Sequence, residues 1–562
     1  MIAHLIKASV RKLLIALGLW PSAYYFFIDF FSYFSESKRR LRRKAAARFQ
    51  NFKQHYFQVL SVKLTKEQPA RKALVMNIGS PSVTEMELVL IKGLELGNFK
   101  SHVWMVPESW ADRYQRLNRN ISLSYCDTFP SLKELQEAGE KVNRLKTFED
   151  LLAVECLGAR VGRFAASTAL RKLRVGMLDI HDIKVRKHLT YALASAIAYA
   201  KRFNGLMESL KPDIAIFGHR GYTPHAEAFD ICIEKGIPAV TWNVAHKNNT
   251  LMFKRYYPSN RDEHHSSLSN ESWQRMKQEP WSAKKSEQLL NELKTCYENG
   301  EWYSEVGTQV NKKMMKKEQM VQEFSLDPNK KIAVIFSHIL WDGTFFWGED
   351  LFRNYEDWLI ETVKAAAENK AVNWLIKVHP ANMVKDARDG CKGEPSEVTA
   401  IKKHIGRLPS HIKVVASHHP MNTFSLFETM DYCVTVRGTI GIEAASFGIP
   451  VLTAGTGRYD RKGFTCDSEN QADYLYRIKN IHQIKRLSSS EQELAERFGF
   501  GVFLKRPLPI KSFSVEFDKS EMADVQTHLH IHNEQDWRQA ADLRAFADWI
   551  AQSRKEDFLT EL

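Results

Sequence analysis

The stretch YCVTVRGTIGIEAASFGIPVLTAG, residues 432–455, decides the fold. Its opening YCVTV is apolar and uncharged, the mark of a short strand buried on both faces. Arg437, Gly438 and Thr439 follow at the strand's carboxyl end. Gly438 lets the backbone approach a ligand closely. Thr439 stands where a helix begins, so its hydroxyl and the first amides of the helix face a common point, which suits an anion. Glu443 lies one turn on, on the face of Thr439, within reach of a ribose hydroxyl. Gly441, Ala444 and Ala445 let this helix lie close against a sheet. Gly448, Ile449 and Pro450 then turn the chain into the next strand, PVLTA. Plain helix capping with a solvated Glu443 is the structural alternative. Strand, loop, helix and strand in this order make one unit of a parallel α/β sheet.

Working outward, the same half holds the strands IAVIF (332–336), NWLIKV (373–378) and IKVVA (412–416). Their tips carry polar residues. Ser337, His338 and Trp341 follow the first, with Trp341 read as stacking on a base or sugar. Lys377 and His379 end the second and leave the same side of the strand, a pair suited to gripping a phosphate. GTGRYDRKGFT (455–465) offers Arg458 or Arg461 to a diphosphate or an acceptor. The expected donor-binding set is therefore Ser337, His338, Trp341, Lys377, His379, Arg437, Gly438, Thr439 and Glu443.

A second strand–helix series precedes this one. ALVMNIGS (73–80), His102–Val106, DIAIF (213–217) and 239–242 read as strands. Met86, Val89, Leu90, Gly93 and Leu94 mark one helical face between the first two. This half should hold the acceptor and the catalytic base. Glu85 and Glu87 begin its first helix, although Ser82-x-x-Glu85 and Thr84-x-x-Glu87 are also capping-box spacings. His219 and His246 sit at later strand ends and join them as catalytic candidates. His264 and His265 lack a ligand-spaced partner, so no metal is expected there.

Composition narrows the function classes. With 44% apolar and 11% aromatic residues, the chain builds sizeable cores, which excludes wholesale disorder and fibrous repeats. Seven scattered cysteines without a C-x-x-C pair fit a reducing compartment and no structural zinc of usual spacing. No G-x-G-x-x-G or G-x-x-x-x-G-K-[ST] stands at a strand end, which argues against dinucleotide oxidoreductases and P-loop NTPases. Of the formal charge of +14, residues 1–50 hold ten Lys or Arg against Asp29 and Glu36. The excess sits beside aromatics and not across a folded face, so nucleic acid is not the expected partner. The uncharged run 13–28 is too short to span a bilayer and contains Pro21. With the following Phe and Tyr residues and KRRLRRK (38–44), it reads as an in-plane anchor on an anionic cytoplasmic leaflet. A signal peptide and a helix docked on the protein are the other readings.

The run from Lys331 to about Tyr476 resembles bacterial capsule polysaccharide biosynthesis proteins, a group that includes Kdo transferases. The W-D after the first strand, the H-P of KVHP and TVRGTIGIEAASFGIPVLTAG carry the resemblance. It implies a GT-B-like fold, two Rossmann-like doubly wound domains facing a central cleft. It also implies that His379, Thr439 and Glu443 hold donor phosphate and ribose. Arg437 departs from the small or polar residue usual there.

These readings divide the chain into a membrane-associating segment 1–50, an acceptor domain 51–258 and a helical connector 259–330. A nucleotide-sugar-binding domain 331–485 and a helical tail 486–562 follow. The expected protein is a metal-independent glycosyltransferase at the cytoplasmic face of the inner membrane. Its partners would be a nucleotide sugar and a lipid-linked or oligosaccharide acceptor, and no cofactor is expected. A CDP-alditol-type transferase and a non-catalytic nucleotide-sugar-binding scaffold are the rival readings.

Overall fold

The computed structural model describes residues 36–63, 71–77, 79–105, 109–126, 129–303, 309, 311–391, 393–517 and 525–561, with isolated positions 10, 13, 14, 17 and 19. Most of the expected N-terminal anchor lies outside them. Among the described residues no helix is long and apolar enough to cross a membrane.

Two parallel-type sheets form the frame. The first contains β1 (Arg71–Asn77), β2 (Phe99–Met105), β3 (Ser122–Tyr125), β4 (Ile214–Phe217), β5 (Ala239–Val244) and β6 (Thr250–Tyr256). The second contains β7 (Ile332–Phe336), β8 (Asn373–Lys377), β9 (Ile412–Val415), β10 (Tyr432–Thr435), β11 (Val451–Thr453) and β12 (Cys466–Asp467). The spatial orders are β3-β2-β1-β4-β5-β6 and β9-β8-β7-β10-β11-β12. Each sheet therefore grows to one side of its first strand and then jumps to the other. That jump is the doubly wound switch point, where a crevice opens at the strands' carboxyl ends. β6 departs from the pattern by running back antiparallel along β5. It was not foreseen, because buried Lys254 and Arg255 interrupt its apolar pattern.

Each sheet is buried on both faces, which explains its uniformly apolar strands. In the first half, the helix Ile183–Leu210 covers one face through Leu193, Ile197 and Phe203. The helices Glu36–Leu60, Pro81–Leu96 and Ala541–Gln552 cover the other. Phe52, Tyr56, Val59 and Leu60 anchor the first of these in the core, so it runs through residue 50 without a break. The connector is also part of a core. On the helix Ala283–Glu298, Leu289, Leu293, Cys296 and Tyr297 form one stripe packed against the second half. Each fully buried large apolar side chain stabilises by roughly 1.5–3 kcal/mol, so this stripe fixes the connector firmly.

The final residues bind both halves. The helix Ser489–Phe500 packs on the second half. The chain then crosses back, and β13 (Leu508–Pro509) pairs with β6. The hairpin of β14 (Phe513–Phe517) and β15 (Val525–Leu529) interrupts the tail expected to be helical. At the crossing, Asp557 meets Lys254 at 3.1 Å and Arg506 at 3.7 Å, all three fully buried.

The halves meet at their strand ends. Arg220 Nη2 donates to the Phe346 carbonyl at 3.1 Å, and Ser167 Oγ donates to the Thr344 carbonyl at 2.6 Å. Gly221 is required here, because a Cβ at that position would stand 2.1 Å from the Phe346 ring.

Candidate functional site

The tips of β7, β8 and β10 surround one cavity of about 340 Å³. Ser337, His338, Lys377, His379, Gly438, Thr439 and Glu443 all line it. Seven of the nine residues expected at a donor site are thus brought together at the switch point of the second sheet. The connector and the loop after β11 close the cavity with His264, His265, Tyr297, Trp302, Tyr303 and Arg458.

The walls are built by short-range bracing. Ser337 Oγ accepts from the His379 amide and donates to the Lys377 carbonyl, both at 3.1 Å, so it pins the β8 tip. Asn382 Nδ2 bridges the His379 carbonyl at 3.1 Å and Glu397 at 2.8 Å. Tyr459 Oη donates to the Gly438 carbonyl at 2.7 Å. Only glycine at 441 permits this, since a Cβ there would lie 2.1 Å from that hydroxyl.

The cavity is cationic. The Lys377 ammonium is buried and has neither hydrogen-bond nor ion-pair partner among the described residues. Burial lowers its pKa to about 8, helped by nearby Lys312. Arg458 reaches the Arg437 carbonyl at 3.1 Å and Ser266 Oγ at 2.6 Å, while burial and Arg437 lower its pKa. The acid in this wall is Glu443, fully buried and hydrogen-bonded by the Tyr297 hydroxyl. Burial raises Glu443 to about 7 against the opposing effect of Tyr297 and Thr439. A buried ammonium without a counter-ion is costly, so an anionic ligand would gain strongly here.

The histidines are fixed as neutral donors. The amide of Ala381 donates to His379 Nδ1 at 3.2 Å, and Ser266 does the same for His264 at 3.2 Å. An Nδ1 lone pair used in this way puts the neutral ring's proton on Nε2. Burial lowers His379 to about 4 and takes His264 well below its usual value. His338 stacks on Tyr355 at 4.6 Å and reaches Thr435 Oγ1 with Nε2 at 3.3 Å.

A second cavity of about 150 Å³ adjoins on the first-half side. His219, Arg220, Thr241 and Asn243 meet Asp342, Phe346 and Trp347 there, and His265 lines both cavities. His219 accepts from the Gly221 amide on Nδ1 at 3.0 Å, and burial with His225 beside it lowers it to about 3. It reaches the cleft as expected, but as an N–H donor and not as the base.

Several expectations are corrected. Trp341 is buried under Arg174 at 4.6 Å and belongs to a separate interdomain cavity, so it cannot stack on a ligand in the donor cavity. Arg437 turns away to pair with Asp350 and the carbonyls of Trp347 and Glu349, stapling that loop. Arg458 takes the inward place, while Arg461 is exposed. Glu85 is buried in a two-bond pair with Arg48, at 2.9 and 2.6 Å. Glu87 is buried against Asn77. Neither lines the two cavities. The capping-box reading also fails, because the helix cap is Ser80 without a side-chain bond. His246 is buried, bonds Glu292 at 2.8 Å and packs on Trp302 and Phe503.

Sequence reasoning missed Tyr297, Trp302 and Tyr303 as wall residues and dismissed His264 and His265. The stripe of Leu289, Leu293, Cys296 and Tyr297 was the available signal. Among the described residues, His246, Glu292 and Cys296 form one group that could hold a metal. Lys247 already occupies the same Glu292 oxygen at 2.6 Å, which disfavours a second cation.

Two doubly wound domains with a cationic cavity at one switch point make an arrangement suited to an anionic ligand. The family model described as capsule polysaccharide biosynthesis protein matches residues 288–486, which takes in every wall of the donor cavity except His264 and His265. The chain is similar to that family over this range. No curated protein matches the sequence significantly. Solved structures with some likeness include the Thermosulfurimonas dismutans KpsC beta Kdo 2,4 transferase, at 15% identity and a TM-score of 0.33, over 56% of this chain and 84% of that one. The Neisseria meningitidis UDP-GlcNAc 2-epimerase bound to UDP-GlcNAc shows 12% and 0.26, over 77% and 97%. The spinosyn rhamnosyltransferase SpnG with thymidine diphosphate shows 12% and 0.28, over 76% and 96%. Superpositions this loose fix neither fold nor function.

Proposed function

We propose that the chain is a GT-B-type glycosyltransferase that moves a sugar from a nucleotide-activated donor onto a bacterial surface polysaccharide, capsule or lipopolysaccharide, or its lipid-linked precursor. The observation that carries this reading is the unpaired Lys377 in one cavity with Arg458, the Nε2–H of His379 and the Glu443–Thr439 wall. The description of the family matching 288–486 supports the polysaccharide role.

The chemistry follows from the charges. When the glycosidic C–O bond to the donor phosphate breaks, negative charge grows on the leaving phosphate. Lys377, Arg458 and the His379 donor are already oriented toward that charge, so they stabilise the transition state without reorganising. These groups perform the neutralisation that a divalent ion would otherwise supply. Glu443 and Thr439 offer acceptors to the ribose hydroxyls, and the aromatic wall of Tyr297, Trp302 and Tyr303 offers stacking area. The acceptor, lipid-linked or oligosaccharide, enters from the His219 side. The basic, aromatic N-terminus holds the chain peripherally on the anionic cytoplasmic leaflet.

Incubating the full-length protein with CMP-, UDP-, GDP- and CDP-activated sugars and soluble acceptors tests the reading. Donor-dependent glycosylated product is expected from at least one. Alditol-phosphate product from CDP-alditols alone, or binding without turnover across the panel, would contradict it.

A further inference from the structure

The transferase reading needs a group that takes the proton of the attacking hydroxyl, and the residues expected for that role do not fill it. Glu85 and Glu87 line neither cavity, and the His219 lone pair is used by its own loop. Asp342 faces the cleft, but Tyr222 and Lys385 bond its carboxylate and Arg171 lies 3.6 Å away. Those groups hold it well below the usual carboxylate range against burial, too weak to take a proton from an alcohol.

Five histidines line the two cavities: His219, His264, His265, His338 and His379. Four have a ring nitrogen tied to the protein. His265 is the exception, with no ring hydrogen bond among the described residues. It is also the residue shared by both cavities, so its ring borders donor and acceptor space at once. Its position is fixed by other means. Arg506 Nη1 donates to its carbonyl at 2.6 Å, and its ring lies against His264 at 4.1 Å and Trp347 at 5.5 Å.

We propose that His265 is the catalytic residue that removes the proton from the acceptor hydroxyl. The proposal rests on the transferase reading. In the step, the acceptor O–H bond breaks and the proton goes to the free imidazole nitrogen. The oxygen forms its bond to the anomeric carbon as the carbon–oxygen bond to the donor phosphate breaks. That electron pair leaves on the phosphate, beside Lys377, Arg458 and His379.

Electrostatics gives the step an order. The charged or titratable groups facing His265 are Arg458, Arg506, Arg220, His219 and His264. Burial and these cations keep the empty site's imidazole neutral, with its lone pair available. A bound donor phosphate offsets Arg458 and raises the basicity of His265 only once the donor is in place. Water entering the site without donor therefore meets a weak base.

The test uses the full-length protein, the nucleotide-sugar panel above and two variants. His265→Gln keeps an N–H donor but lacks a base. It is expected to lower kcat by about 10²–10⁴-fold, the usual worth of a general base, with donor affinity within about threefold of wild type. His265→Ala should regain transfer with added imidazole, which a purely structural role would not allow. Circular dichroism and melting check that both fold. If His265→Ala is misfolded, the acid limb of the wild-type kcat–pH profile, which reports the donor-bound enzyme and should be absent in His265→Gln, decides instead. Near-normal turnover in His265→Gln with a donor-affinity loss in His265→Ala would overturn the proposal and make His265 one more phosphate donor, leaving the transferase reading intact. Failure of wild type to be stabilised by CMP, UDP, GDP or CDP would overturn both.

Discussion

The two halves of this molecule have the same strand order and differ in what they leave unsatisfied. In the first half, Glu85 is held by Arg48, Glu87 by Asn77 and His246 by Glu292. In the second, Lys377 ends its strand buried and unpaired among the described residues, facing a cavity. One doubly wound frame thus pairs these charged groups in one half and leaves a buried ammonium unmatched beside a cavity in the other. Topology places the crevice, and unmatched charge at the strand tips gives it chemistry.

The sharpest way to break that contrast is to remove charge from each half in turn. Lys377→Met should lower kcat/KM by about 10²–10³-fold, in the range measured for single transition-state donors. Glu85→Gln should leave kcat within about twofold and instead lower stability, by roughly 3–5 kcal/mol at most, as expected when a buried pair loses one partner. Steady-state rates and urea melts on the same preparations separate the two outcomes. Equal loss of activity in both variants would erase the distinction between the halves.

Glu443 gives a second, smaller handle with a pH signature. Its folded pKa of about 7 lies above the ordinary 4.5, so the folded state binds its proton more tightly than the unfolded chain. Stability from this group is full below about pH 4.5 and is lost as pH rises to about 7. The loss is about 3 kcal/mol from the shift itself. Glu443→Gln should therefore be the more stable protein at pH 8, with the gap closing toward pH 5, while binding nucleotide more weakly. Melting curves at the two pH values read this directly, and an unchanged gap would mean that Glu443 is not strained by burial. The smallest effect is expected at Trp341. It packs between the halves and outside the donor cavity, so Trp341→Phe should change donor affinity by less than about threefold.

Much of this contrast was legible from residue order. All five strands read in the second half match the structure within a residue at each end, and Lys377, His379, Thr439 and Glu443 do line one cavity. Local patterns reveal strand tips because a buried parallel strand is apolar until it ends. They do not reveal which charges meet a partner from far along the chain. Arg437 reads like a phosphate ligand until Asp350 claims it, and Glu85 reads like a base until Arg48 does. His265 was passed over for the same reason. Nothing next to it in sequence marks a base, and its role depends on the two cavities that meet there.

Nucleotide-induced stabilisation tests the central claim most directly, because a ligand raises the melting temperature only by binding the native state better than the unfolded one. CMP, UDP, GDP and CDP would be compared on wild type, Lys377→Met and Glu85→Gln. At least one nucleotide should stabilise wild type and Glu85→Gln by the same shift and leave Lys377→Met unmoved. An equal shift in Lys377→Met, or none in wild type, would contradict a donor site at the carboxyl ends of β7, β8 and β10.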